Sequence, residues 1–184
     1  MLSKVVVAAL LTGVHALVPG QATQPTRSAT LNCRDPIDAV TVPPSYLQTF
    51  GGAVALQTST STRVALQAGP FSNAHLPAYG YFAKTPVYVR TNGKSATIRV
   101  GNSARGRVAM SWGNTEFDGI ATRSFTIGPC SGTAKWIGFP GGYYPARRGC
   151  FDFVVRAGRR DTRVRVGLGA PCPGQQPPIT IAPR

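Results

Sequence analysis

FDFVVRAGRRDTRVRVGLG, residues 151–169, decides how the rest of the chain is read. Phe151, Phe153 and Val155 alternate with Asp152, Val154 and Arg156. A period of two sends successive side chains to opposite faces of an extended strand. Ala157-Gly158-Arg159-Arg160-Asp161 then offers a turn. Arg163-Val164-Arg165-Val166 resumes the alternation, with Val164, Val166 and Leu168 on the apolar side. Two such runs make an antiparallel hairpin with one face against a core and its arginines toward water.

The same signal recurs upstream. Residues 53–57, 82–90, 96–100, 107–112 and 123–127 are short runs rich in Val, Ile, Thr, Phe and Tyr, cut by Gly, Pro, Asn and Asp. Pro86 breaks the second run and marks an edge or a bend. Thr91-Asn92-Gly93-Lys94 is a hairpin turn signal leading into 96–100. Val108, Met110 and Trp112 share one face of their run, and Phe125 and Ile127 point inward from theirs. No window beyond the N-terminal apolar run shows an apolar period of 3.6. The expectation is an all-β, antiparallel immunoglobulin-like sandwich of about seven to nine strands with two disulfides. A closed barrel is the alternative.

KWIGFPGGYYPARRGC, residues 135–150, fits this pattern as a core hairpin. Trp136, Ile137 and Phe139 face the core, and Pro140-Gly141-Gly142 is the turn. Tyr143 and Tyr144 leave it on opposite faces, so one is buried and one is available to a ligand. Arg147 and Arg148 form an irregular shoulder before Cys150.

The ends read differently. One lysine, Lys4, precedes an apolar run at 5–18, and Pro19 and Gly20 break it ahead of the small-residue site Gly20-Gln21-Ala22. This is the pattern of a cleaved secretory signal peptide over 1–22. The run is shorter than the roughly 20 residues of a spanning helix, and no other stretch is apolar enough, so the mature chain is expected to lack a transmembrane helix. Residues 23–30 look like a flexible leader, 31–172 a single β domain, and 173–184 a disordered Pro-rich tail. Export places the protein outside the cell or in its envelope. All four cysteines fall in the mature part, and an even count in an exported chain implies two disulfides. Zinc is disfavoured, because no two cysteines have ligand spacing.

The chain carries 20 Lys+Arg against 6 Asp+Glu, for a net charge of +14. Such a balance suits an anionic partner, while an arginine-biased genome gives the same composition without any partner. Arg147, Arg148, Arg156, Arg159, Arg160, Arg163 and Arg165 concentrate in the last hairpin and its approach. Sharing a face, they would form an anion-binding stripe for an envelope polymer, with another envelope protein as the second kind of partner. Sequence-specific nucleic-acid binding is disfavoured, since phosphate contacts alone carry no sequence information.

Catalytic constellations are weak. His75 is the one histidine beyond the signal segment. It sits in a Gly/Pro/Asn loop without a nameable partner. Gly101-Asn102-Ser103-Ala104-Arg105-Gly106 misses the nucleophile elbow by one position. Gly167-Leu168-Gly169 starts a dinucleotide fingerprint but runs into Ala-Pro-Cys, so no cofactor is expected. Asp35 with Asp38, and Glu116 with Asp118, are the close acidic pairs. Glu116 and Asp118 offer too few oxygen ligands for calcium. The alternative function they leave open is a secreted carbohydrate-active hydrolase using Glu116 and Asp118, which needs two facing carboxylates.

Residues 30–37 (TLNCRDPI), Trp112-Gly113-Asn114, residues 138–144 (GFPGGYY) and residues 166–174 (VGLGAPCPG) resemble, over nearly the whole mature chain, a group of uncharacterised exported four-cysteine proteins of actinobacteria. The resemblance implies an exported, disulfide-bonded, mostly β domain and carries no catalytic residue. Of the three pairings open to four cysteines, the expected one joins Cys130 to Cys150 around the aromatic segment and Cys33 to Cys172 across the domain ends. The functional expectation is an exported non-catalytic β domain, with Tyr143 or Tyr144 and the arginine stripe as ligand contacts.

Overall fold

The computed structural model describes residues 28–74, 76–113 and 121–179. The expected signal peptide, most of the leader, His75, Glu116 and Asp118 lie outside the described residues. Within them are fourteen strands, no α-helix, and a turn of 3-10 helix at Asn102–Ala104. No helix there is long and apolar enough to cross a membrane.

The strands form three sheets. The first runs in the order β1 (Ala29–Thr30), β10 (Ser124–Ile127), β8 (Ala96–Val100), β13 (Gly149–Ala157), β14 (Arg160–Leu168). The second runs β2 (Asp38–Val40), β11 (Trp136–Phe139), β7 (Val87–Arg90), β4 (Val54–Leu56), β3 (Gln48–Phe50). The third runs β5 (Gly69–Pro70), β6 (Tyr81–Lys84), β12 (Gly141–Pro145), β9 (Val108–Trp112). Every strand pair is antiparallel except β1 with β10. The chain is thus all-β, with antiparallel sheets and two disulfides. Three open sheets stand where the sequence predicts two sheets or a closed barrel.

Hairpin β13–β14 forms as the alternation requires. Its register pairs Phe151 with Val166 and Phe153 with Val164 on the buried face, and Asp152 with Arg165 and Val154 with Arg163 on the other. Gly158 opens the two-residue turn at φ +64° while Arg159 keeps φ negative. That matches the turn with glycine at its first central position, which follows strand twist.

The extra sheet arises from two prolines. Tyr81–Lys84 and Val87–Arg90 are two halves of one run bent at Thr85-Pro86. Trp136–Phe139 and Gly141–Pro145 are two halves of another bent at Pro140. The runs pair with one another on both sides of the bend, Phe139 with Val87 before it and Gly142 with Lys84 after it. Thr85 N–H donates to Gly141 O at the bend itself (2.9 Å). Proline removes a ladder donor and fixes φ, so two prolines facing each other divide one long ribbon between two sheets. Residues 135–150 are therefore no hairpin: β11 and β12 never pair. Nor does Thr91-Asn92-Gly93-Lys94 close one, because β7 and β8 belong to different sheets. Asn92, at φ +53°, turns the chain from one sheet to the other.

A single core draws on all three sheets, with Val54, Val87, Ile98, Met110, Trp112, Phe125, Phe139, Tyr143 and Phe153 almost wholly buried. Trp112 Nε1 donates to Thr85 O (2.9 Å), supplying a donor to a carbonyl at the proline bend. A second cluster, Leu76, Tyr79, Ala109, Ala121 and Tyr144, lies on the other face of the third sheet. A third gathers Leu47, Ala55, Tyr88 and Trp136.

The disulfides join Cys33 to Cys130 and Cys150 to Cys172, which corrects the expected pairing. Strand pairing sets the mates. Cys33 and Cys130 each follow one strand of the parallel pair β1–β10 by a few residues. Cys150 is registered against Gly167 near the end of β14, and Cys172 follows that end closely. Among the described residues, both ends of the domain are tied to its strands. Ala29 and Thr30 pair with Phe125 and Thr126. Gln176 N–H donates to Arg63 O (2.7 Å) and Gln176 O accepts from Ala65 N–H (3.0 Å). The Gln175 side chain accepts from Cys172 N–H (3.1 Å) and donates to Thr62 O (3.2 Å). The segment held this way lies along the outer edge of β14: Ser59 N–H donates to Arg165 O (2.7 Å) and Leu66 N–H to Gly167 O (2.9 Å).

Candidate anion-binding groove

The water-facing side of the first sheet carries its polar residues in rows across the strands. One row reads Ser124, Arg99, Val154, Arg163, and the next reads Thr126, Thr97, Arg156, Asp161. Neighbours along a row sit about 4.8 Å apart. Residues 101–107 form a wall beside these rows. Gly101 N–H donates to Asp152 O (2.8 Å), and Ser103 Oγ donates to Asp152 Oδ2 (2.6 Å). An Arg107 guanidinium N–H donates to Ser103 O. The wall sits so close that a Cβ at position 101 would lie 2.9 Å from Asp152 O, a distance only glycine avoids.

Wall and sheet enclose an open groove of about 1020 Å³, lined among others by Arg99, Arg105, Arg123, Arg163, Asn102, Ser103, Ser124, Asp152 and Asp161. Four arginines thus face two aspartates. Asp161 is already engaged: Arg156 donates to it through Nε (2.5 Å) and Nη2 (2.9 Å), and Arg99 Nη2 lies 3.2 Å away. The hydrogen-bonded Arg156 guanidinium holds the Asp161 carboxyl below the ordinary carboxylate range. Arg156 is held above its own ordinary value by the same contact. Asp152 is held by Ser103. Among the described residues Arg105, Arg123 and Arg163 have no ion pair, so their charge is available to a ligand.

The seven arginines expected to form one stripe fall into three groups. Arg156, Arg163 and Arg165 do share the outer face of the hairpin. Arg159 and Arg160 sit at its turn. Arg147 and Arg148 precede β13 at the opposite end, where the Arg148 guanidinium lies 5.1 Å from the Tyr81 ring centre. Of the seven, only Arg163 lines the groove. Its companions Arg99, Arg105 and Arg123 come from three separate segments. The alternation in 96–100 marks Arg99 as outward-facing, but nothing local shows which strand lies beside it.

The tyrosine expectation is corrected too. Tyr143 and Tyr144 do point to opposite faces of β12, yet they are only 1% and 3% exposed. Tyr143 packs against Trp112 and Phe153, with ring centres at 5.3 and 5.0 Å. Tyr144 packs against Phe82 and Phe71, at 4.8 and 5.1 Å. Both faces of the third sheet are covered, so neither phenol is a ligand contact. Of the acidic pairs, Glu116 and Asp118 lie outside the described residues, and Asp38 accepts a hydrogen bond from the Tyr88 hydroxyl (2.5 Å). Among the described residues no three of His, Cys, Asp and Glu gather into a metal-binding group. Comparison with known protein families found no matching family model, and comparison with curated proteins found no match.

Proposed function

We propose that this chain is an exported, non-catalytic β domain of the cell envelope or extracellular space, and that it holds an anionic polymer in the groove of its first sheet. One observation carries the reading: three arginines without ion pairs among the described residues converge on one depression. Guanidinium forks suit carboxylate, sulfate and phosphate oxygens alike. A groove that leaves them unneutralised raises the local concentration of such anions. Export rests on the N-terminal pattern, and two disulfides suit an oxidising compartment. In fold terms we read the protein as a variant of the immunoglobulin-like sandwich, its second layer broken in two at the proline bends.

The test is elution from immobilised dextran sulfate in a salt gradient. The triple variant Arg105→Gln, Arg123→Gln, Arg163→Gln should elute at much lower salt than the native chain. The variant Arg147→Gln, Arg159→Gln, Arg160→Gln removes the same charge outside the groove and should elute close to the native chain. Equal losses in the two variants would mean that net charge alone drives retention, and would overturn the groove.

A further inference from the structure

We infer that the ligand of this groove is an acidic polysaccharide, with anionic groups spaced along a hydroxyl-bearing chain, and that Asp152 selects it over a densely charged polyanion. The inference rests on the anion-binding reading above. Its starting point is that the groove is not uniformly cationic. Asp152 stands on the floor between the wall and the arginines, registered opposite Arg165, yet among the described residues it makes no ion pair. Its Oδ2 accepts from Ser103, which fixes the carboxylate against the wall.

An ionised carboxylate only accepts hydrogen bonds. Phosphate and sulfate oxygens at neutral pH offer it no donor, and a polymer charged at every unit would lay some of those oxygens against it, where like charges repel. A sugar hydroxyl does offer a donor, and a hydroxyl-to-carboxylate bond is charge-assisted. The remaining lining has the same mixed character. Asn102, Ser103 and Ser124 supply neutral donors and acceptors. Val154, half-buried between Arg99 and Arg163 in its row, gives an apolar contact to the C–H face of a ring. Arg99 is ion-paired with Asp161 on β14, which leaves, among the described residues, Arg105, Arg123 and Arg163, drawn from separate segments around the groove, as the guanidinium groups open to anionic groups of the ligand. A chain that carries both anionic groups and hydroxyls meets the free arginines with the first and Asp152 with the second.

Asp152→Asn keeps the shape and removes the charge. Affinities of native chain and variant are measured by calorimetry or biolayer interferometry for two probes at one salt concentration: hyaluronate, whose carboxylates alternate with uncharged sugars, and inorganic polyphosphate. The native chain should prefer hyaluronate. The variant should lose about tenfold on hyaluronate, the scale of one hydrogen bond to a charged group, and should bind polyphosphate more tightly than the native chain does. A native chain that prefers polyphosphate, or a variant whose ratio of the two affinities is unchanged, overturns the selection while leaving anion binding in place. Binding to neither probe overturns the anion-binding reading and this inference with it.

Discussion

Gly141 and Gly142 show how much one residue can decide. At Gly141 the backbone has φ +144°, a region that side chains rarely enter. A Cβ there would lie 2.7 Å from Trp112 Cα and closer still to the Ser111 carbonyl oxygen, and one at Gly142 would run into the Ala83 carbonyl. The sequence shows the glycine pair plainly, but as a turn, because a Pro-Gly-Gly run within a single strand looks the same on paper. Their role is to let β9 and β6 approach β12 closely beside the bend. Gly141→Ala should cost about 3 kcal/mol or more, lowering Tm by roughly 10 °C for a chain of this size, which thermal denaturation reads directly. Tyr143 gives a second residue-scale expectation. Burial holds its phenol above the ordinary value, near 10 in an unfolded chain. Its contribution to stability is therefore complete below about pH 10 and drains away as pH rises further, because the unfolded chain ionises first. Tm should fall steeply above that pH. Tyr143→Phe should flatten the fall in part, since Tyr79 and Tyr88 are shifted in the same direction.

At the scale of elements, most strands are legible, while the short β1, β2, β3 and β5 are not. The alternation in residues 151–156 and 163–168 marks β13 and β14, and the runs at 96–100 and 107–112 become β8 and β9 almost residue for residue. Their partners were not legible. Period and turn residues are local, whereas pairing β11–β12 against β6–β7 brings together segments about fifty residues apart, and only the facing bends at Pro86 and Pro140 disclose the match. The disulfide pairing failed for the same reason: cysteine mates follow strand neighbours, and chain order does not state them. The corrected pairing carries its own ranking. The bonds close sequence separations of 97 and 22 residues, which the chain-entropy relation puts at about 4.7 and about 3.4 kcal/mol. Replacing both Cys33 and Cys130 by Ala should therefore destabilise more than replacing both Cys150 and Cys172, as urea titration of the two variants would show. A larger loss from the second pair would mean that the tail contacts it anchors outweigh loop entropy.

For the molecule as a whole, the sequence points to arginines and to one face of a hairpin, and the groove lies partly there. Arg163 was visible because its own strand announces the outward face. Arg99, Arg105 and Arg123 were hidden because a groove is made by juxtaposition: a sheet order of β10, β8, β13, β14 and a loop folded over it. Arg159 and Arg160 at a hairpin turn and Arg147 and Arg148 at the opposite end lie close to Arg163 along the chain, yet none of them lines the groove. The outer edge of β14 has a wider consequence. That strand is nine residues long and ends its sheet. An open edge of such length is a template on which a second chain can add a strand. Here residues 59–66 occupy part of it, residues 175 and 176 hold those residues in place, and the Cys150–Cys172 bond tethers 175 and 176. The linkage that contributes the smaller loop entropy of the two thus also helps to hold in place the segment that covers part of the sheet's longest open edge.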